Sequence, residues 1–396
     1  MPDYRVRAAV TEGGDPPVWS PSTLSFTDCD AFVFLDDAAP PFQFDLAETT
    51  AIESTEGMLR VSLLERHSVQ ISGMGRTEGE IVAGFLRAVR DRTAKAFRFG
   101  APVDGSWHLG EVAADGSGPP GHAAFRLYRS LLGIIPKSGD PAWVHYADIR
   151  RASFDEGSYR IVLDCHAGPA WRLGKLGQRT TSFLGALKQA MMDHSSRYQT
   201  HLKNLVPDVS ASLLHQVSSE WREGLALPAK TLEGAVPGLV NRILDHLAAE
   251  DRRPFLAALR QRAEAPALGA YFSSDADAAE SGSPPFVPFG LFPLKGRNAI
   301  AWETMSSDTL ATYVFHGGME SLGSLNNALR DVRFAREPIY IPEDELKSNG
   351  ELRHHVVLLR RSAALQLLRE RFACRAIHSD PETYAAQLER LSSIQK

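Results

Sequence analysis

The chain has 396 residues, a hydrophobic share of 43%, a charged share of 23% and a formal net charge of −5. At roughly 100–200 residues per domain this length suggests two to four domains, with enough apolar material for buried cores. The mild negative charge argues against a protein that binds nucleic acid along its whole length, while leaving room for a local basic patch.

Three widely spaced cysteines, Cys29, Cys165 and Cys374, form no CxxC pair, so neither a disulfide framework nor a zinc site is expected. Met1 to Arg7 has no apolar signal core, and no apolar run approaches the ~20 residues of a membrane span. A protein of a reducing cytoplasm is the expectation.

The first element in the chain is Ala31 to Leu35, a short buried-strand run, followed by a turn at Pro40 and Pro41. Strands are expected at about 42–47, 58–64 and 68–72, and a helix at about 78–97. In 58–64 the apolar Leu59, Val61 and Leu63 alternate with Arg60 and Ser62, the period of a half-buried antiparallel strand. The helix has an apolar stripe at Ile81, Val82, Phe85 and Val89 that lays one face on a sheet. A Gly- and Pro-rich linker from Asp115 to Gly121 closes this unit.

The second unit reads as strands at Ala124 to Tyr128, Leu131 to Ile135, Trp143 to Ile149, Tyr159 to Cys165 and Trp171 to Leu176, with a turn from Pro136 to Pro141 and a helix at about 180–195. From Pro207 the texture turns helical. Asp208 is the expected N-cap of a helix bearing Val209, Leu213, Val217 and Trp221. A second helix follows around Val236 to Leu247, and a third starts near Pro254. Ser273 to Pro285 reads as a polar loop. Strands return at Phe286 to Leu294, Ala299 to Thr304 and Thr309 to Phe315. Two helices end the chain, one around 356–373 and one from Pro381 with Tyr384, Leu388 and Leu391 inward. The expected domains are 1–113, 122–200, 207–266 (helical), 267–340 and 341–396 (a helical tail).

An internal repeat runs through these elements. Glu56 to Leu63 aligns with Glu156 to Leu163, and each run continues through a second strand to Gly75 or Gly177 and then into an apolar helix. The pairs Ile81/Phe183, Val82/Leu184, Phe85/Leu187, Ala88/Ala190 and Val89/Met191 match at an offset of 102, so two extra residues are placed between the strands of the second copy. Ser321 to Leu329 echoes Phe183 to Met191 and suggests a third, diverged copy.

Several short antiparallel strands closed by one amphipathic helix resemble the pleckstrin-homology (PH) superfold, over roughly 30–100 and 124–195, and more distantly 268–335. The resemblance implies an α+β protein of two to three partly open antiparallel barrels, each capped by its C-terminal helix, plus a helical module. It further implies binding or scaffold roles, as for tandem copies in histone chaperones and in bacterial proteins. Lipid sites in that family use basic residues near the loop between the first two strands. The loop assigned to that role here, Pro136 to Pro141, has Lys137 beside Asp140, and the first unit's turn has Asp36 and Asp37, so a phosphoinositide ligand is not supported.

Chemical motifs are sparse. Gly73, Gly75 and Gly79 precede a helix, but their spacing is wrong for a dinucleotide loop and a turn is the better reading. Asp164, Cys165 and His166 lie on a strand whose alternation sends Cys165 inward and His166 outward. No GxSxG, HExxH or P-loop pattern occurs, and no cofactor or metal is implied. Trp143, Trp171, Trp221 and Trp302 read as core fillers.

Two basic segments stand out: Arg87, Arg90, Arg92, Lys95 and Arg98 on the outer side of the first helix, and Arg353, Arg360, Arg361, Arg369, Arg371 and Arg375 near the C-terminus. The expected function is a non-catalytic macromolecular binding or scaffold protein with a protein partner. The alternatives are a nucleic-acid-associated accessory protein that uses these arginines, and an enzyme with a site assembled between units.

Overall fold

The computed structural model describes residues 3–13, 15–35, 40–55, 57–64, 66–115, 120–248, 252–272, 286–304, 311–349 and 352–392. Glu56, Asp36, Asp37, Thr309, the side chain of Leu391 and the expected polar loop of 273–285 fall outside them. The chain forms two compact units, Met1–Ala190 and Met191–Lys396. Across the described residues it is a mixed α+β protein with three antiparallel sheets of seven, seven and six strands. No helix among them is long and apolar enough to cross a membrane.

The first sheet comprises β1 (Asp3–Glu12), β2 (Ser20–Phe26), β3 (Asp30–Phe34), β4 (Phe42–Asp45), β5 (Thr49–Thr55), β6 (Met58–Leu63) and β7 (His67–Ser72), followed by helix α1 (Glu78–Ala96). Its order is β4-β3-β2-β1-β7-β6-β5. β1 therefore sits at the centre, while β4 and β5, neighbours in sequence, lie at opposite edges. Ile81, Phe85 and Val89 of α1 pack into the core with Val6, Leu24, Val33, Leu59, Val61, Val69 and Ile71. Each such side chain contributes about 1.5–3 kcal/mol by leaving water.

The second sheet repeats this plan. Its strands β8 (His108–Ala114), β9 (Gly121–Leu127), β10 (Leu131–Pro136), β11 (Ala142–His145), β12 (Ile149–Asp155), β13 (Arg160–Cys165) and β14 (Trp171–Gly174) lead to α2 (Thr180–Leu205). The order is β11-β10-β9-β8-β14-β13-β12, position for position that of the first sheet. Details repeat as well. Both copies have a one-turn 3-10 helix before the fifth strand, Leu46–Glu48 and Tyr146–Asp148. Both have a bulge at its start, Thr49/Ala51 and Ile149/Arg151, and a left-handed glycine before the helix, Gly75 at φ 57° and Gly177 at φ 60°.

The structure changes three sequence expectations in this unit. Repetition reaches back to β1, so β1, β2, β5, β8 and β12 are strands that the sequence reading left out. The stretch from Asp115 to Gly121 is not a linker between copies; it joins β8 to β9, which pair within one sheet. The two extra residues of the second copy lie before β13, not after it. Ala51 pairs Ser62 and Arg151 pairs Asp164, so β6 and β13 are already offset by 102, and the hairpin tip has grown from 56–57 to 156–159. A slip of two residues leaves the in–out alternation of a strand unchanged, which is why the pattern alone placed Leu59 against Tyr159 instead of Ile161.

The two copies are joined by backbone and ring contacts. Gly139 N–H donates to Thr50 O at 2.9 Å and Ile52 N–H to Lys137 O at 3.3 Å, so the β10–β11 turn pairs with the outer edge of β5. Phe97 and Phe99, just past α1, pack on Trp143 at 6.0 and 5.7 Å between ring centroids. Asp91 of α1 accepts hydrogen bonds from Trp107 Nε1 at 2.9 Å and Arg126 Nη1 at 2.7 Å.

The second unit is built on one six-stranded antiparallel sheet in simple sequential order: β15 (Leu227–Pro228), β16 (Ala267–Phe272), β17 (Phe286–Pro293), β18 (Ala299–Thr304), β19 (Ala311–His316) and β20 (Phe372–Ile377). This order differs from the other two sheets. The helices are α3 (Ala211–Glu220), α4 (Ala229–Ala235), α5 (Leu239–Leu247), α6 (Arg253–Arg262), α7 (Leu322–Asp331), α8 (Glu337–Tyr340), α9 (Glu343–Ser348), α10 (His354–Arg361), α11 (Ala363–Arg371) and α12 (Pro381–Ser392).

One sheet face packs Leu268, Phe292 and Val314 against Trp221, Ile243, Leu259 and Tyr384. The other carries Tyr271, Phe289, Trp302 and Tyr313, with Phe334 stacked on Tyr271 at 3.9 Å. Burial on both faces explains why β17 to β19 are apolar almost throughout. Ser210, not Asp208, caps α3, accepting from Leu213 N–H. The single helix expected over 356–373 is two helices interrupted at Ser362, and its end is β20.

Candidate protein-docking edge

The basic segments do not form exposed stripes. Arg92 is 7% exposed, not on the outer side of α1. Its Nε donates to Asp45 Oδ1 at 2.9 Å and its Nη2 to Asp45 Oδ2. Arg90 is half-buried, and burial lowers its pKa. Arg87 is exposed beside Asp91 at 3.8 Å, Lys95 is exposed and Arg98 half-buried.

Near the C-terminus Arg360 bonds Glu343 Oε1 at 3.0 Å and Arg361 is buried. Arg369 Nη1 donates to the carbonyls of Pro338 and Ile341, both at 2.7 Å. Arg371 Nη1 donates to Ser324 Oγ at 3.0 Å, and Arg375 lies over the Tyr340 ring at 3.7 Å. Most of these guanidinium groups hold helices and loops together. Arg361, like Arg92, belongs to a basic segment of the sequence and is nevertheless buried; periodicity cannot show an ion pair or a loop carbonyl waiting for a donor.

Two polar clusters are closed to solvent. Thr312 Oγ1 lies 2.5 Å from Glu303 Oε2, 2.7 Å from Tyr384 OH and 3.0 Å from His378 Nε2, and all four residues are buried. A hydroxyl close to an imidazole can be an activated nucleophile. Here the single Thr312 proton satisfies the carboxylate while Tyr384 and His378 donate to the oxygen, so the cluster is a clamp joining β18, β19 and α12. In the other cluster His194 Nε2 meets Glu223 Oε2 at 3.1 Å, and Phe272 N–H donates to Glu223 Oε1 at 3.0 Å. Burial pushes the Glu223 carboxyl up, but the hydrogen bond and charge of His194, with Arg333 and the Phe272 N–H, outweigh it and hold the pKa at about 2.

Cys165 and Cys374 are not activated. Burial pushes the Cys165 thiol up to about 11 and that of Cys374 to about 12. Of the tryptophans, Trp221 and Trp302 fill cores, whereas Trp143 and Trp171 are only partly buried. Among the described residues no group of three His, Cys, Asp or Glu side chains is placed to hold a metal ion. The loops between the first two strands are 13–19 and 115–120 rather than Pro136 to Pro141, and neither contains Lys or Arg.

One open edge among the described residues is β12. It ends its sheet as β5 ends the first. On β5 the outward-facing Thr50 carbonyl and Ile52 amide are taken by the β10–β11 turn. Their counterparts, the Arg150 carbonyl and the Ala152 amide, face outward in the same register, and among the described residues no strand pairs with that side of β12. An unpaired edge is a template for another chain unless it is blunted.

Around this edge Arg150 and Arg151 are exposed, and so are Phe154 at 36% and Tyr159 at 62%. Phe154 and Tyr159 meet edge to face with ring centroids 5.1 Å apart. The longer tip is well built: Asp155 accepts from Gly157 N–H at 3.1 Å and from Ser158 Oγ at 2.5 Å, and these bonds hold its carboxyl below the usual range. Tyr159 takes φ 54°, where the first copy has Gly57 at φ 78°. The first copy has Ser54 and Gly57 in place of the two aromatics, so the fold does not require them.

None of these residues was singled out as a binding residue from sequence; Tyr159 reads there as the inward-facing start of a strand with Ile161 and Leu163, but the strand begins at Arg160 and Tyr159 is exposed. A signal was present in the mismatch between copies at structurally equivalent positions: Thr50/Ala51 against Arg150/Arg151, and Gly57 against Tyr159. No protein-family model matches the chain, and no curated protein is significantly similar to it.

Proposed function

We propose that this is a non-catalytic macromolecular binding or scaffold protein whose first unit consists of two tandem PH-like barrels, and that it captures an extended segment of a partner protein on β12. The PH-like reading is supported by seven antiparallel strands in one order, repeated, each set followed by an amphipathic helix. The observation that carries the docking role is internal to the molecule. β5 already receives the β10–β11 turn at Ser138, through two hydrogen bonds to the same backbone groups that β12 presents outward. In strand addition the main chain supplies affinity and flanking side chains supply selectivity. Phe154 and Tyr159 are suited to anchor such a segment, because exposed aromatic residues are frequent hot spots.

The test compares proteins captured by the full chain with those captured by the Phe154→Ser/Tyr159→Gly variant, with thermal melting as a folding control. A partner retained by the wild type and lost by a folded variant is expected. Equal capture by both removes β12 from the function.

A further inference from the structure

We infer that the segment received by β12 is acidic, with a carboxylate opposite Arg150 and Arg151 and, three residues along, an apolar side chain beside Phe154. This rests on β12 being a docking edge, as proposed above, and adds the chemistry of the partner.

The bulge sets the charge. Where β12 pairs with β13 the register shifts between Ile149 and Arg151, so Arg150 is the extra residue. Arg150 and Arg151 are both exposed, and together they stand against one carboxylate, Asp164, the ladder partner of Arg151. Among the described residues neither guanidinium has an ion pair. The first copy has Thr50 and Ala51 at its bulge, so the bulge forms without arginine.

The other acids near the edge are placed elsewhere. Asp148 is half-buried and has interactions of its own. Asp155 is held by Gly157 and Ser158 and pairs across the ladder with Arg160, and Glu156 is exposed at the tip. The edge is thus basic at its bulged end and acidic at its tip, which sets where the partner's carboxylate sits.

The spacing follows from the pleat. Arg151 pairs with Asp164, whereas Phe154 pairs with the fully buried Ile161. Three residues separate Arg151 from Phe154, an odd step that crosses from the outer face to the inner. A strand added alongside keeps that alternation, so its acidic and apolar side chains fall on opposite faces. The Arg150 carbonyl and the Ala152 amide need a peptide backbone to complete a ladder, which favours a protein segment over the phosphates of a nucleic acid.

A random dodecapeptide library displayed on phage, panned against the full chain, tests this. Peptides with Asp or Glu three positions from an aromatic or aliphatic residue should be enriched. Free peptides of the enriched sequence should bind R150E/R151E roughly tenfold more weakly, with the melting temperature as folding control. Exchanging their acid for Lys should restore binding to that variant and abolish it for the wild type.

Enrichment that depends on Phe154 and Tyr159 but shows no acid, or that R150E/R151E leaves unchanged, overturns the inference and leaves the docking role standing. Retention of a single-stranded oligonucleotide through Arg150 and Arg151, with no peptide enriched, overturns it in favour of nucleic acid. If no binding responds to β12, both readings fall.

Discussion

Tyr159 occupies the left-handed backbone position that Gly57 occupies in the first copy. A side chain there costs about 1 kcal/mol, and apart from the ring contact with Phe154 the aromatic is turned to solvent. Tyr159→Gly relieves that strain, but it adds unfolded-chain entropy of about 0.5–1 kcal/mol and removes a ring pair of similar worth. Stability by urea titration should change by no more than about 1 kcal/mol, while capture on β12 is lost. A large loss of stability would make Tyr159 a folding residue instead.

Asp45 and Arg92 form a buried two-armed ion pair at the foot of α1. Removing one partner leaves a buried charge alone, so Arg92→Leu should destabilise the first unit by about 3–5 kcal/mol. Asp45→Asn/Arg92→Met, which removes both charges, should recover much of that loss. A double-mutant cycle in urea measures the coupling; additive losses would deny it.

Glu223 gives the second unit an acid-sensitive contribution. Its folded pKa, about 2, lies below its ordinary value, so the stabilisation is complete above about pH 5 and is lost as pH falls toward 2. Melting curves between pH 6 and 2 should show a steep fall for the wild type and a shallower one for Glu223→Gln, with the variant less stable at pH 6. Parallel profiles would rule out this carboxyl as the source.

Thr312→Val keeps the shape of the side chain but removes the oxygen shared by Glu303, His378 and Tyr384. Buried polar groups left without a partner cost about 1–3 kcal/mol each. The expected loss is in that range, and α12, which carries Tyr384, should become easier to cleave in limited proteolysis. Unchanged cleavage would mean that Phe255 and the apolar core hold α12 without the clamp.

What was legible in the sequence follows from where side chains point. Ile81, Phe85 and Val89 announced α1 because one face is apolar and the other is not. β17 to β19 were found because both of their faces are buried. β5 and β12 were missed because each follows a 3-10 turn and a bulge, which break the alternation, and because Arg150 and Arg151 give β12 the polarity of a loop. The ends of the internal repeat were hidden by β2, a strand containing Pro21 and three serines. Arg92 and Arg369 were misplaced for another reason: the partner of Arg92 is the remote Asp45, and those of Arg369 are the Pro338 and Ile341 carbonyls, all invisible to any local pattern. The candidate edge was unreadable until the strand order showed which strand lies outermost.

The central place of β1 makes the opening residues of each copy a keystone. β1 pairs Val10 with Val69, about sixty residues further along, as well as pairing with β2. During synthesis β1 to β4 can zip as a meander, but the sheet stays two separate leaves until β7 emerges from the ribosome. Contacts this distant slow folding, and shortening the chain from its front would take out the middle of the first sheet and leave its rims.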